Sequence, residues 1–399
     1  VTASGDFRFR DIALAAYGPS VVNAIGHGAV MPVLALRARD LGADVSTAAV
    51  VVALLGVGSL LASLPAGALV ARLGERRVLT VVGCLDAVAM ASAAVTESVL
   101  ALGMAITFSG MTWTAFIMAR QGFMIDVVPV AYRARGMSML GGSMRIGVLV
   151  GPLLGAGLIA LGGLTWVFWL AASMSLASAL LARTMPDLGS EARGQGVGQL
   201  SVLSVLRAHR RVLLTLGVAV VIIAASRSLR VVLLPLWADH VGLSASTTSL
   251  IFAVAAAIDI AFFLPGGWLM DTRGRVVVAV PVVASTALAC LLLPLATTTA
   301  TVAAVMVLIA AGNGLGSGIV MTLGADTAPV EGRAQYLGGW RLCGDIGGSG
   351  APVLVSALAA VAPLAVACVV MGVLAAVGTV WVGYWTRQVD RQAVAVSRP

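Results

Sequence analysis

Of the 399 residues, 60% are hydrophobic and 11% charged, and the mean hydropathy is +1.03. Soluble domains carry about 25% charged residues, so an aqueous globular fold is excluded. The formal charge of +8 rests on arginine alone, since the 25 basic residues include no lysine, and its distribution speaks against nucleic acid as a partner.

A helix needs about 20 apolar residues to cross a bilayer core about 30 Å thick. In chain order, apolar runs of that length cover roughly 12–37, 46–70, 77–95, 99–122, 137–161, 164–183, 212–237, 246–270, 276–297, 300–324, 335–358 and 362–385. None alternates over about ten residues as the strands of a β-barrel do. The expected fold is an all-α membrane protein with 12 transmembrane helices, one per run. The first run exceeds a signal-peptide core and lacks a small-residue cleavage pattern, so it counts as a span.

The arginines between spans, from Arg8 and Arg10 through Arg72, Arg133, Arg211, Arg273 and Arg333 to Arg398, fall on one side, with only Arg37 and Arg39 in a loop on the other. That bias predicts both termini on the cytoplasmic side of the cell's inner (plasma) membrane, with anionic lipid of that leaflet as a partner. Cys84, Cys290, Cys343 and Cys368 fall inside spans and are expected as small buried hydrophobes without disulfides. Neither a phosphate-binding glycine loop after a strand nor a metal-ligand spacing is present, so no metal, nucleotide or other cofactor is expected.

Punctuation residues recur at an offset of 200: Leu64-Pro65 with Leu264-Pro265, Gly74 with Gly274, Asp126 with Asp326, Pro129 with Pro329, Arg133 with Arg333, Gly147 with Gly347, and Pro152 with Pro352. Glycine, proline and charge are not interchangeable aliphatics. The match predicts two pseudo-symmetric six-helix bundles, residues 1–183 and 212–399, joined by a cytoplasmic linker at 184–211 whose Gly and Ser favour flexibility.

Loops after the second and eighth spans share this offset: GALVARLGERR from Gly67 and GWLMDTRGR from Gly267. Gly67 and Gly267 permit close helix approach, and Gly74 and Gly274 a tight reversal. Asp271, at a helix end, can face the positive N-terminus of a neighbouring helix. With Arg72 and Arg275 these residues form a candidate conformational gate. Both loops resemble the G-x-L-x-D-R-x-G-R-R signature of the major facilitator superfamily, whose fold is two six-helix halves related by an axis along the membrane normal. The resemblance implies that Asp271 latches onto the start of the fifth span, near Gly136–Met139, when the cytoplasmic side is closed. Ala71 holds the aspartate position of the first copy, so the latch is expected on one half only.

In the fifth span, Gly147, Gly151, Pro152 and Gly155 form G-x-x-x-G-P-x-x-G. Glycines one turn apart cut a groove in which another helix packs or slides, and the proline favours a bend; these four join the gate. This stretch, with AIGHGAVMPVL in the first span, resembles the superfamily's twelve-span drug/proton antiporter branch. That branch's fourth-span arginine position holds Ile106 here, a departure from its usual route of proton coupling.

Ionisable side chains inside spans are costly and functional by default. The acids are Asp86, Asp259 and Asp345; the bases are Arg120, Arg145, Arg227, Arg230 and Arg341, with His27 in the first span. A rise of about 1.5 Å per residue sets the depth of each. The resemblance packs the fifth span against the eighth, so a buried Arg145–Asp259 pair is expected. Arg341 and Asp345, one turn apart, can pair directly. A carboxylate between burial and a nearby arginine can load and release a proton; Asp345 is the first candidate carrier and Asp259 the second. The resemblance places the helix of Asp86 away from the cavity and so implies a structural, hydrogen-bonded role for it, and His27 is either a titrating group or a neutral, hydrogen-bonded one. By the resemblance, spans one, four, seven and ten line a central cavity, where Asn23, His27, Trp113, Arg227, Arg230 and Asn313 are the candidate substrate contacts.

The implied function is secondary transport, not enzyme catalysis: proton-coupled efflux of drug-like or small amphipathic metabolites by alternating access, as a monomer. A proton-coupled symporter or facilitator of a small organic anion is the first alternative, favoured by Arg227 and by Ile106. A non-transporting membrane receptor or assembly subunit is the second.

Overall fold

A computed structural model describes residues 9–128, 133–186, 202–329 and 333–397. The first crossing is made by α1 (Phe9–Val30) and α2 (Leu34–Asp40), which meet at 44°. The bend has a local cause: Pro32 has no N–H to donate, and the Val33 N–H closes a tighter turn onto Val30 O at 3.0 Å. Then follow α3 (Val45–Leu73), α4 (Glu75–Val95), α5 (Val99–Val127), α6 (Arg133–Gly162) and α7 (Thr165–Ala182). Short helices α8 (Val202–Ala208) and α9 (Arg210–Val212) lead through a π-helical turn, Leu213–Gly217, into α10 (Val218–His240). The chain continues with α11 (Ala245–Arg273), α12 (Val276–Leu292), α13 (Thr299–Leu315), α14 (Ile319–Thr327), α15 (Arg333–Val361) and α16 (Leu364–Ser397).

Among the described residues, 11 helical stretches are each long and apolar enough to cross a membrane, and the bent α1–α2 pair completes 12. Arg37 and Arg39 stand in α2 and not in a loop. Arg37 is buried, donating to Asp40 Oδ2 (2.9 Å) and Thr96 O (2.9 Å), so its charge is satisfied without reaching solvent. Large apolar side chains cover the outside, including Leu161 at 87% exposure and its counterpart Val361 at 83%, as a lipid-facing surface requires. Cys84 belongs to that surface: it is exposed, against expectation, while Cys290 and Cys368 are buried and Cys343 is half-buried. A thiol is apolar enough to face lipid.

The two halves repeat each other bond for bond where the second and eighth spans begin. Gly42 and Gly242 both have positive φ, 87° and 77°. Ala43 N–H reaches Ala38 O at 3.0 Å, and Leu243 N–H reaches Ala238 O at 2.8 Å, the pattern by which an αL glycine closes a helix C-terminus. Asp44 then caps α3 through Thr47 N–H, as Ser244 caps α11 through Thr247 N–H.

Packing divides into three apolar clusters. One draws on both halves around the α2–α3 turn and its counterpart, with Leu34, Val52, Phe168, Trp237, Phe252 and Val355. Nearer the arginine-rich face the cores are separate: Tyr17, Leu79, Phe123 and Met185 in the first half, Val220, Met270, Tyr336 and Val382 in the second. Between halves, α3 packs on α15 and α6 on α11. At the shared end Ser46 Oγ donates to Ser356 O (2.9 Å), and Ser246 Oγ donates to Ala156 O (3.0 Å), the same bond with the halves exchanged. Arg39 and Asp239 add an ion pair across the seam at 3.2 Å. Among the described residues, the cross-half hydrogen bonds and the shared apolar cluster lie at this shut end, while the buried clusters nearer the arginine-rich end stay within one half each.

Candidate functional site

The candidate residues of the spans fall into two clusters, one centred on each half. In the first, Asp86 of α4 is 2% exposed and fully coordinated. Its Oδ1 accepts from Ser109 (2.6 Å) and Thr112 (3.0 Å) of α5, and its Oδ2 from Ser175 (2.6 Å) of α7 and His27 Nε2 (3.1 Å) of α1. A carboxylate has about four lone-pair sites, and all are used. The bond requires a proton on Nε2 of His27, whose ring also lies 4.5 Å from that of Trp113. Asn23, His27, Asp86, Thr112, Trp113 and Phe116 line a narrow crevice between α1, α4 and α5. Asp86 is thus hydrogen-bonded on both oxygens, and the three hydroxyl donors were not singled out in the sequence, where serine and threonine in a span are unremarkable.

The second cluster centres on Asp259 of α11. Asn313 Nδ2 of α13 lies 3.2 Å from each of its oxygens, and Arg230 Nη1 of α10 approaches to 3.9 Å. One turn along α10, Arg227 donates from Nη2 to Gly316 O at 2.6 Å. That carbonyl is available because the tenth span breaks between α13 and α14, at the glycine-rich NGLGSG. Arg145 enters from α6 of the other half. Its guanidinium stacks over the ring of Phe263, 4.3 Å from the centroid, in place of the expected ion pair with Asp259. Phe263 follows Asp259 by one turn, so Arg145 reaches the right part of α11 and takes the aromatic face there. Its charge still acts on Asp259 through space, as do those of Arg227 and Arg230.

Asp345 and Arg341 on α15 face each other at 3.9 Å, with 28% and 37% of their side chains exposed. Arg120 is elsewhere: buried between α5 and α1, it donates to Ser20 Oγ (2.9 Å) and Ala15 O (3.1 Å). Ile106 is wholly buried in the apolar core.

The glycines of α6 are filled, and by the same half: a Cβ on Gly147 would meet Ala24 and one on Gly151 would meet Gly28 and Ala29, all on α1. Gly347 lies likewise against Val221 and Ala225 of α10. Gly155 is looser, at 3.6 Å from Ala29, and Pro152 sits within α6 without ending it. A Cβ on Gly67 or Gly267 would meet nothing within 4 Å, so the close approach expected of them is not made here. Gly74 and Gly274 turn with φ of 77° and 94°. At the second turn the Asp390 carboxylate of α16 accepts from the N–H groups of Arg275 (2.8 Å) and Val276 (3.0 Å), and Arg275 Nε donates to Asp326 (2.9 Å). Arg72 is exposed. The side chains of Asp271 and of residues 136–138 lie outside the described ones, and so does most of the expected linker, 187–201.

The family model of the Major Facilitator Superfamily matches residues 20–352 and, again, 216–398. The chain belongs to that superfamily. Two proteins described as uncharacterized MFS-type transporters, from two strains of Mycobacterium tuberculosis, are 24% identical over 260 residues, 65% of this chain and 34% of theirs. The chain thus spans about a third of the length of these curated relatives. Among solved structures, the nucleoside transporter NupG superimposes with a TM-score of 0.72 at 13% identity, over 93% of this chain and 98% of that one. A POT family transporter in complex with a thioalcohol-conjugated peptide gives 0.78 at 12%, over 95% and 96%. A bacterial homolog of the human lysosomal transporter Spinster, inward-facing and unoccupied, gives 0.76 at 14%, over 97% and 99%. At these identities the likeness is one of fold: 12 transmembrane helices in two pseudo-symmetric bundles. The proteins named are transporters and not enzymes.

Proposed function

We propose that the chain is a secondary transporter that exports small amphipathic molecules in exchange for protons by rocking its two halves about the seam between α3–α15 and α6–α11. The observation that carries this reading is the asymmetry of the core: one cluster shared between halves at the shut end, two separate clusters at the arginine-rich end. We take the arginine-rich end, where the clusters are separate, as the open one; arginine bias assigns it, with both termini, to the cytoplasm, so this conformation loads from inside. Asp345 is the proposed proton carrier. Its one ionic partner among the described residues, Arg341, stands at 3.9 Å, beyond hydrogen-bonding distance, which leaves the carboxylate free to take a proton and give it up. Asp259 is less available, because Asn313 holds both its oxygens. In the opposite state the latch of Asp271 on α6, with Gly67, Arg72, Gly267 and Arg275, would hold the cytoplasmic end shut.

Inside-out vesicles with an acidified lumen test this. An exchanger accumulates its substrate there, and an ionophore that collapses the gradient stops the accumulation. Expulsion of preloaded substrate would establish symport instead, and absence of any protein-dependent flux would leave a receptor or assembly subunit.

A further inference from the structure

Three guanidinium groups lie within electrostatic reach of one carboxylate at mid-span. The carboxylate of Asp259 is engaged by Asn313, and its distance of 3.9 Å from Arg230 is too long for a hydrogen bond. Arg227 uses one nitrogen on Gly316 O, while its Nε is buried with no partner. Among the described residues Arg145 makes no hydrogen bond or ion pair and rests on Phe263. All three arginines are half-buried, and each acts electrostatically on the others. The site therefore carries two positive charges more than Asp259 offsets. A lysine could shed such an excess by deprotonating, but arginine cannot. Uncompensated charge in a low-dielectric site is strongly unfavourable, and a guanidinium fork matches the geometry of a carboxylate or phosphate.

Resting on the transport reading above, we infer that this site takes an amphipathic small molecule through one anionic group, a carboxylate, sulfonate or phosphate, held jointly by Arg145 of one half and Arg227 and Arg230 of the other. Phe263 offers the apolar body a wall beside the charge. Because the arginines come from α6 and from α10, the anion draws the two halves toward each other as it binds.

The test uses purified full-length protein and three probes of one shape: naphthoate, the neutral naphthamide and the cation naphthylmethylammonium. Equilibrium dialysis is expected to show naphthoate bound about tenfold or more tighter than either other probe, the scale of one charge-assisted hydrogen bond. Arg145→Gln and Arg227→Gln each remove most of that margin, and Arg227→Lys keeps part of it. Asp259→Asn, which removes the competing carboxylate and leaves the arginines, binds naphthoate several-fold tighter, a gain that misfolding does not mimic. Equal binding of the three probes, or no gain in Asp259→Asn, overturns the inference. So does displacement of naphthoate by phosphatidylglycerol in nanodiscs otherwise made of phosphatidylcholine, which would assign the site to a lipid headgroup. Naphthoate that binds but never crosses a proteoliposome membrane sinks the transport reading and spares the site. Preferential transport of the cation does the reverse.

Discussion

Each oxygen of Asp86 accepts two hydrogen bonds, so the group is solvated by protein as completely as water would solvate it. Asp86→Asn replaces an acceptor with a donor against hydroxyls that already donate, and breaking such a buried pair costs about 3–5 kcal/mol. Thermal unfolding in detergent is expected to fall accordingly, whereas Ser175→Ala alone costs about 1 kcal/mol. Asp345→Asn should behave in the opposite way. It keeps the fold and passive exchange of substrate but abolishes accumulation driven by a pH gradient, measured as counterflow with and without the gradient in proteoliposomes. At this scale the sequence exposed the charges, because Asp, Arg and His are conspicuous in apolar runs. It did not expose their partners: His27 and Asp86 are 59 residues apart, and Phe263 looked like any aromatic of a lipid-facing or core helix.

Helices α6 and α1 pack backbone to backbone only because Gly147 and Gly151 lack a Cβ. Gly147→Val is expected to force them apart at about 1–3 kcal/mol. Gly157→Ala in the same helix, where a Cβ meets nothing within 4 Å, should instead stabilise by about 0.5–1 kcal/mol. Comparing the two by thermal unfolding separates packing from any hinge role. The α3 cap makes a pH prediction. Hydrogen bonds from Thr47 hold the Asp44 carboxyl below its usual range. Its contribution is therefore complete above the unfolded value of about 3.9 and is lost as pH falls through the lower, folded value. Asp44→Asn keeps a capping oxygen and should flatten the acid limb of stability below about pH 4. The spans themselves were legible, since twenty apolar residues have few other uses. The breaks were not. Pro19, Pro65, Pro265 and Pro281 sit within helices that continue past them, so Pro32 gave no distinct warning of the bend after α1. The glycines after Asn313 likewise gave no sign that Gly316 would present its carbonyl to Arg227.

At the scale of the whole molecule, the offset of 200 residues made the two-bundle architecture readable, because only a repeat explains matched glycines, prolines and charges. Which end would be shut was not readable, since one sequence encodes both conformations and a difference of a few kcal/mol selects between them. The seam gives the corresponding prediction. Ser46 Oγ and Ser356 Oγ are 3.1 Å apart; with both replaced by cysteine and oxidised, transport should stop, and reductant should restore it. Transport that continued with the crosslink in place would mean that the shut end need not open. The Arg39–Asp239 pair at this seam is exposed and worth about 0–1 kcal/mol, but its position has another consequence. The two residues occupy the same place in the two repeats, so the pseudo-twofold axis runs between them. A dimer of identical half-length chains would set arginine against arginine there, or aspartate against aspartate, and repel itself. Opposite signs on the axis are open only to a chain that carries both copies, so this contact belongs to the fused protein and has no counterpart in a symmetric pair of its halves.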